Sequence, residues 1–261
     1  MRPLLALVTF LVPAAALAEE DRIATDRPDF VEAASVVGKG VFQIETSVAA
    51  ERDRRDGVTT RTWTTPTLLR LGVSDTLELR LETEGFTWEE VDRGTTSDSE
   101  NGFSNSALGV KWQMREGDEA AGTPSVVWLA HLEMNSGSAA FRGSGTVPSL
   151  RMVAEWQLPD DAAFGVMPGL AWQKDDSGAR YWAGILAATY SRPLGPSLRG
   201  FVELAGRELR SERHGGNQLT FDTGLIYAIG DDAQIDAAIN LGLNRSTPDV
   251  LATAGFSIRF R

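Results

Sequence analysis

Beyond Gly38 the chain settles into a two-residue rhythm, and that rhythm excludes most folds before composition is consulted. From Leu77 to Trp88 one face reads Leu77, Leu79, Leu81 and Thr83, while the other reads Glu78, Arg80, Glu82 and Glu84. A helix would scatter those charges around its circumference, whereas a strand places them all on one side. The run Val41 to Ala50 repeats the pattern, with Phe42, Ile44, Thr46 and Val48 opposite Gln43, Glu45 and Ser47. Similar stretches follow at Trp63 to Val73, Phe103 to Met114, Ser125 to Asn135, Val147 to Leu158 and Ala162 to Gln173. They continue at Tyr181 to Arg192, Ser197 to Glu208, Gln218 to Ile229, Ala233 to Asn244 and Asp249 to Phe260. Twelve strands are predicted, each of about ten to twelve residues, the length that crosses an outer membrane when tilted.

The connections sort into two kinds, as they do in outer-membrane barrels, where turns are short on one side and loops long on the other. Val73 to Thr76, Pro159 to Asp161, Pro193 to Pro196 and Gly230 to Asp232 are tight and rich in turn residues. They alternate with polar stretches at Glu51 to Thr60, Glu89 to Gly102, Ser136 to Thr146, Lys174 to Arg180 and Leu209 to Asn217. Arg115 to Pro124 is long where a turn is expected, and Arg245 to Pro248 is short where a loop is expected. An even strand count leaves both barrel ends on the periplasmic side. Trp112, Trp128, Trp156, Tyr190 and Tyr227 fall near the short-turn ends, and Trp63, Trp172 and Trp182 near the long-loop ends, sketching two interfacial girdles. A soluble barrel keeps a small apolar interior. Here about half of each strand is polar, so the expectation is an all-β, antiparallel transmembrane barrel with its charges inside and its apolar face in lipid.

The start of the chain agrees. Arg2, the apolar run Leu4 to Val12 and the small-x-small triplet Ala16-Leu17-Ala18 predict a signal peptide over residues 1 to 18. Pro13 breaks the run, and no later apolar stretch reaches the length of a membrane helix. Residues 19 to 39 form a periplasmic segment and a candidate plug, and residues 40 to 261 form the barrel. Losing Arg2 with the leader takes the formal charge from -11 to -12. That acidity speaks against a nucleic-acid partner, and the absence of cysteine removes thiol chemistry and thiolate metal sites. No metal and no cofactor are expected.

Thr25-Asp26-Arg27-Pro28-Asp29-Phe30 with Glu32, then Phe42-Gln43-Ile44-Glu45, then Thr65 to Gly72 leading into Leu77-Glu78-Leu79-Arg80, resembles the bacterial outer-membrane transporter family labelled putative MetA-pathway of phenol degradation. Asp222 to Tyr227, Asp236 and the closing Gly255 to Phe260 resemble its C-terminal half. The resemblance implies a small barrel of a Gram-negative outer membrane that moves small molecules, with aromatic or hydrophobic compounds as the substrate class. Gly255, Ile258 and Phe260 also resemble the C-terminal signal read by the barrel-assembly machinery, although Arg261 follows the closing aromatic. The partners expected are that machinery, outer-membrane lipid, lipopolysaccharide and a small solute.

By alternation the candidate lumen and selectivity residues are Arg70, Glu78, Arg80, Glu82, Glu84, Glu133, Arg151, Glu155, Arg199, Glu203 and Arg207. A twelve-strand lumen is intermediate between one that side chains fill and one that holds a water channel. A hydrated charge set would line a porin-like pore. A fully paired one would seal a structural or adhesive barrel. Some barrels of this size are lipolytic enzymes, but His131-Leu132-Glu133 has Glu where the nucleophilic Ser would stand two residues from His, so no enzyme is expected. The segment Ile23 to Val37 carries Asp26, Arg27, Asp29 and Glu32 around Pro28 and Phe30, more charge and anchoring than a plain spacer needs. It is a candidate gate, with Asp26 and Asp29 pairing lumen arginines such as Arg70 or Arg259.

Overall fold

The computed structural model describes residues 22 to 175 and 177 to 261; the signal peptide expected over residues 1 to 18 lies outside the described residues. It contains β1 (Phe42–Arg55), β2 (Val58–Thr64), β3 (Thr67–Ser74), β4 (Leu77–Thr83), β5 (Phe86–Asp92), β6 (Ser97–Phe103), β7 (Ser106–Arg115) and β8 (Ser125–Met134). The chain continues with β9 (Val147–Leu158), β10 (Ala162–Lys174), β11 (Arg180–Pro193), β12 (Leu198–Leu209), β13 (Gln218–Ile229), β14 (Ala233–Gly242) and β15 (Val250–Phe260). All pairings between these strands are antiparallel between neighbours, and β15 returns to β1 from Phe42↔Phe260 to Arg52↔Val250, which closes the sheet. β2 with β3, β4 with β5, and β6 with β7 each form one interrupted stave, so the fifteen segments make twelve staves.

The three interruptions lie side by side. Pro66 has no N–H to donate to a ladder and breaks the first stave. Gly85, at φ 70°, breaks the second, and a Cβ there would stand 2.3 Å from the Thr65 carbonyl oxygen. Ser104 N–H then donates to the Gly85 carbonyl at 2.9 Å, which aligns the third break with the second. Beyond this level the sheet continues outward, and two stretches expected as loops become hairpins. Glu51 to Thr60 is mostly β1 and β2, turning at Asp56-Gly57, where both residues have positive φ. That pair is the usual two-residue hairpin connection. Glu89 to Gly102 likewise becomes β5 and β6, joined at Arg93 to Thr96. Strand pairing satisfies backbone groups that an irregular loop would leave to water.

Amphipathicity is inverted relative to a water-soluble protein. In β4, Glu78 and Arg80 are buried while Leu79 and Leu81 are 45% and 39% exposed. Leu108, Leu132, Leu150, Leu170, Leu186, Val202, Leu225, Ile239 and Phe256 continue the outward apolar band around the barrel. Cross-strand aromatic pairs sit on that face: Trp172 and Trp182 meet edge to face at 4.2 Å, Phe42 stacks on Phe260 at the closing seam, and Trp112 stands opposite Trp128. At the tight-turn side Asp160 and Asp161 both adopt positive φ, which matches the twist of the flanking strands.

Candidate functional site

Residues 22 to 40 occupy the lumen. The segment starts at the tight-turn mouth, where Ile23 N–H donates to the Asp231 carbonyl at 2.7 Å and Arg22 Nη1 to the Pro196 carbonyl at 2.9 Å. It climbs inward and returns to the same mouth, where Gly40 N–H donates to the Gly72 carbonyl at 2.8 Å before β1 begins. The contact at Gly72 is close enough that a Cβ would lie 1.6 Å from the Gly38 carbonyl oxygen.

One wall of the lumen is charged, because the inward residues of β1, β3, β4 and β7 bring Glu45, Arg70, Glu78, Arg80 and Lys111 to one level. Asp26 plants a carboxylate among these cations. Lys111 Nζ donates to both Asp26 oxygens at 2.8 and 3.1 Å, Arg80 Nη1 donates to Oδ2, and Arg70 Nη1 lies at 3.5 Å. Arg70 also donates to Glu78 through Nε and Nη2 and to Glu45 through Nη1, at 2.9 to 3.0 Å. Arg80 reaches Glu78, Glu82 and Glu32 at 2.8 to 3.0 Å. Burial alone would raise the Asp26 carboxyl; Arg70, Lys111 and Arg80 outweigh it and hold the group well below the ordinary range. Charges this deep persist only when paired.

The opposite wall is apolar. Val31 and Ala34 of the segment pack with Val127, Leu129, Val153, Met167, Ile185, Ala187 and Ala205, and Phe30 adjoins the group. Glu203 fixes the segment's backbone here, its two oxygens accepting from Phe30 N–H at 2.8 Å and Val31 N–H at 2.7 Å. The Phe30 ring lies under Arg207, 4.5 Å from guanidinium carbon to centroid, with Arg151 at 5.9 Å.

The remaining candidates distribute unevenly. Arg151 holds Glu32 at 2.9 Å, and Arg207 holds Asp222 at 2.8 Å. Glu82 Oε1 lies 2.9 Å from His131 Nε2, and Glu133 accepts from Asn105 Nδ2 at 2.8 Å. Glu84 faces the lumen cavity. Arg27 bonds Asp236 and Thr253. Arg199 lies away from this network, at the tight-turn end, where it reaches Ser191 Oγ and the Asp161 carbonyl; Glu155 accepts from Gln157 Nε2 at 3.3 Å. Arg259 meets Asp232 at the mouth rather than Asp26 or Asp29. Asp29 meets no arginine among the described residues: burial, with Glu155 and Asp26 nearby, pushes its carboxyl up to about 7 against hydrogen bonds from its own backbone and Thr189. Sequence reasoning did not single out Glu45 or Lys111 as site residues. Both have inward register, and Lys111 stands opposite Glu78. The apolar wall also went unread, although Val126-Val127 and Val153-Ala154 are apolar on both faces of their strands.

Above the segment the lumen keeps a cavity of about 550 Å³, floored by Asp29, Phe30 and Glu32 and walled by Glu82, Glu84, Arg151 and Arg207 on one side and Ala171, Ala183 and Ile185 on another.

A closed antiparallel sheet of twelve staves with buried charges, an apolar outer band and outward aromatic pairs is an outer-membrane β-barrel. Its solved relatives in fold include the COG4313 outer membrane channel from Pseudomonas putida F1, at TM-score 0.62 and 13% identity over 90% of this chain and 99% of that one. The NanC porin matches at TM-score 0.51 and 12% identity, covering 82% and 98% of the two chains. The β domain of the Bordetella autotransporter BrkA matches at 0.50 and 12%, covering 84% and 99%. No curated protein sequence matches. The family model described as Putative MetA-pathway of phenol degradation matches residues 25 to 260, and the chain belongs to that family.

Proposed function

We propose that this barrel is an outer-membrane channel or transporter for small molecules, with aromatic or hydrophobic compounds as its solute class, and that residues 22 to 40 are its plug. The cavity of about 550 Å³ carries the reading: a solute entering from the long-loop side meets a lumen with room for it and a floor made of the chain's own N-terminal segment. The mixed wall suits a solute with an apolar body and a polar substituent. The family description, which refers to phenol degradation, and the channel character of the P. putida relative support the same reading. Transport needs no reacting group, and the chain is taken as a non-enzyme.

Planar-bilayer recordings comparing the full mature chain with a form lacking residues 19 to 37 test it. Larger or less interrupted currents in the truncated form, together with uptake of phenol into liposomes, are the expected result. A truncated barrel that folds but passes neither ions nor phenol would leave a sealed structural barrel instead. In the truncated form, Arg207→Gln is expected to shift the reversal potential toward cations, because Asp222 then faces the lumen uncompensated.

A further inference from the structure

A second cavity, of about 420 Å³, lies at the outer mouth between the loops that follow β8, β10 and β12. Four basic side chains face it, and two of them are already committed. Arg210 donates to Glu208 at 2.7 Å, to the Tyr181 hydroxyl at 3.3 Å and to the Gly216 carbonyl at 3.2 Å. His214 stacks on Tyr181, rings 3.8 Å apart and nearly parallel, with Nδ1 3.7 Å from Asp175. The other two, Lys174 and Arg213, make no hydrogen bond or ion pair among the described residues. Lys174 is half-buried, and its stem passes beside Gly145 and Gly178, where the absence of side chains leaves the ammonium open to the cavity. Two uncommitted cations on one cavity are notable in a chain of net charge -11, whose neighbouring β5–β6 hairpin carries Glu89, Glu90, Asp92, Asp98 and Glu100.

We infer that this cavity is a capture site for a small organic carboxylate, held between Lys174 Nζ and the Arg213 guanidinium. An arginine and a lysine without partners among the described residues, lining one cavity, favour an anion, and the forked donors of arginine match the two oxygens of a carboxylate. The volume falls in the range of small-molecule sites, larger than a bare inorganic ion needs. The ligand is a free solute and not a lipid headgroup, because this cavity shares Glu133, Val147 and Gln173 with the larger one below and so opens onto the lumen. Glu133 at that junction sets the orientation. Its negative charge repels a carboxylate from the deeper cavity, leaving the charged end at the outer mouth and the apolar remainder pointing inward. The site goes beyond the channel reading and rests on it only for the direction of travel.

Isothermal titration of the full mature chain, refolded free of lipopolysaccharide, with benzoate and its neutral counterpart benzamide tests the site. Benzoate is expected to bind, and the double variant Lys174→Gln/Arg213→Gln to bind it at least about tenfold more weakly, the loss of one to two charge-assisted contacts. Benzamide is expected to bind no better to the wild type than to the variant. Arg245→Gln, an exposed outer-face control paired among the described residues with Asp56, is expected to leave benzoate affinity unchanged. Heat-modifiable gel mobility verifies that each variant is folded. Absence of benzoate binding, equal affinity in the double variant, or the same loss in Arg245→Gln would overturn the site. So would binding seen only after lipopolysaccharide is added. Benzoate binding without conduction would refute the channel and keep the site; conduction without binding would do the reverse.

Discussion

Replacing Asp26 by Asn tests whether the charged wall holds the N-terminal segment in the lumen. Its carboxylate is the bonded partner of Lys111, a ligand of Arg80, and the acceptor for Ala33 N–H at 2.8 Å within the segment's own turn. Removing one partner of a buried ion pair costs about 3 to 5 kcal/mol when nothing replaces it. Asparagine keeps an oxygen for Ala33, and departure of the segment lets water reach Lys111 and Arg80, so a loss of about 2 to 3 kcal/mol is expected to remain. That corresponds to a shift of roughly 30- to 150-fold toward the undocked segment. Amide hydrogen exchange reads the shift at a distance. Phe30 and Val31 N–H donate to Glu203, which the substitution leaves untouched, so their protection reports docking and not a local hydrogen bond. Protection of these two amides is expected to fall by the same factor while β10 and β11 keep theirs. Unchanged protection at Phe30 and Val31 would refute the reasoning and assign docking to the contacts of Val31 and Ala34 with the apolar wall.

Gly72→Ala places a methyl where the Gly38 carbonyl now stands, and because the Gly38 oxygen and carbon it meets belong to backbone, a cost of about 1 to 3 kcal/mol and a lower heat-modification midpoint are expected; an unchanged midpoint would show that the segment's exit yields freely. Docking is expected to depend on pH through Asp29, whose carboxyl is pushed up to about 7, above its ordinary value of 3.8. The docked state therefore binds the proton more tightly, so docking weakens as pH rises from about 4 through 7, whereas Asp26, held low, costs docking only as pH falls below the ordinary carboxylate range. Exchange protection of Val31, corrected for intrinsic rate, is expected to be higher at pH 5.5 than at pH 8, and Asp29→Asn to flatten the difference. Leu79→Arg, on the lipid face of β4, is expected to cost about 2 to 4 kcal/mol in guanidinium unfolding from bilayers; a negligible change would place that residue outside the hydrocarbon.

The sequence by itself determined the barrel. Alternation at Leu77 to Glu84 puts three leucines on one face and four charges on the other, and with about half of every strand polar the arrangement that satisfies both faces is charges inward and leucines outward in lipid. Turn chemistry at Asp160-Asp161 and Gly230 marked the tight end for the same local reason, and Asp56-Gly57 carried a hairpin signature as legible as either. The inward register of Arg70, Glu78 and Arg80 was readable too. Only the tertiary structure decided what those charges face. Lys111 lies 85 residues from Asp26, and Glu203 lies 173 from Phe30, so no periodicity connects them. The apolar wall depends in the same way on closure, which turns Val127, Val153, Met167 and Ile185 from four strands toward one another and onto Val31. Local sequence sets which face of each strand points inward. Closing the ring sets which inward residues meet, and whether the space between them holds water, solute or the chain itself.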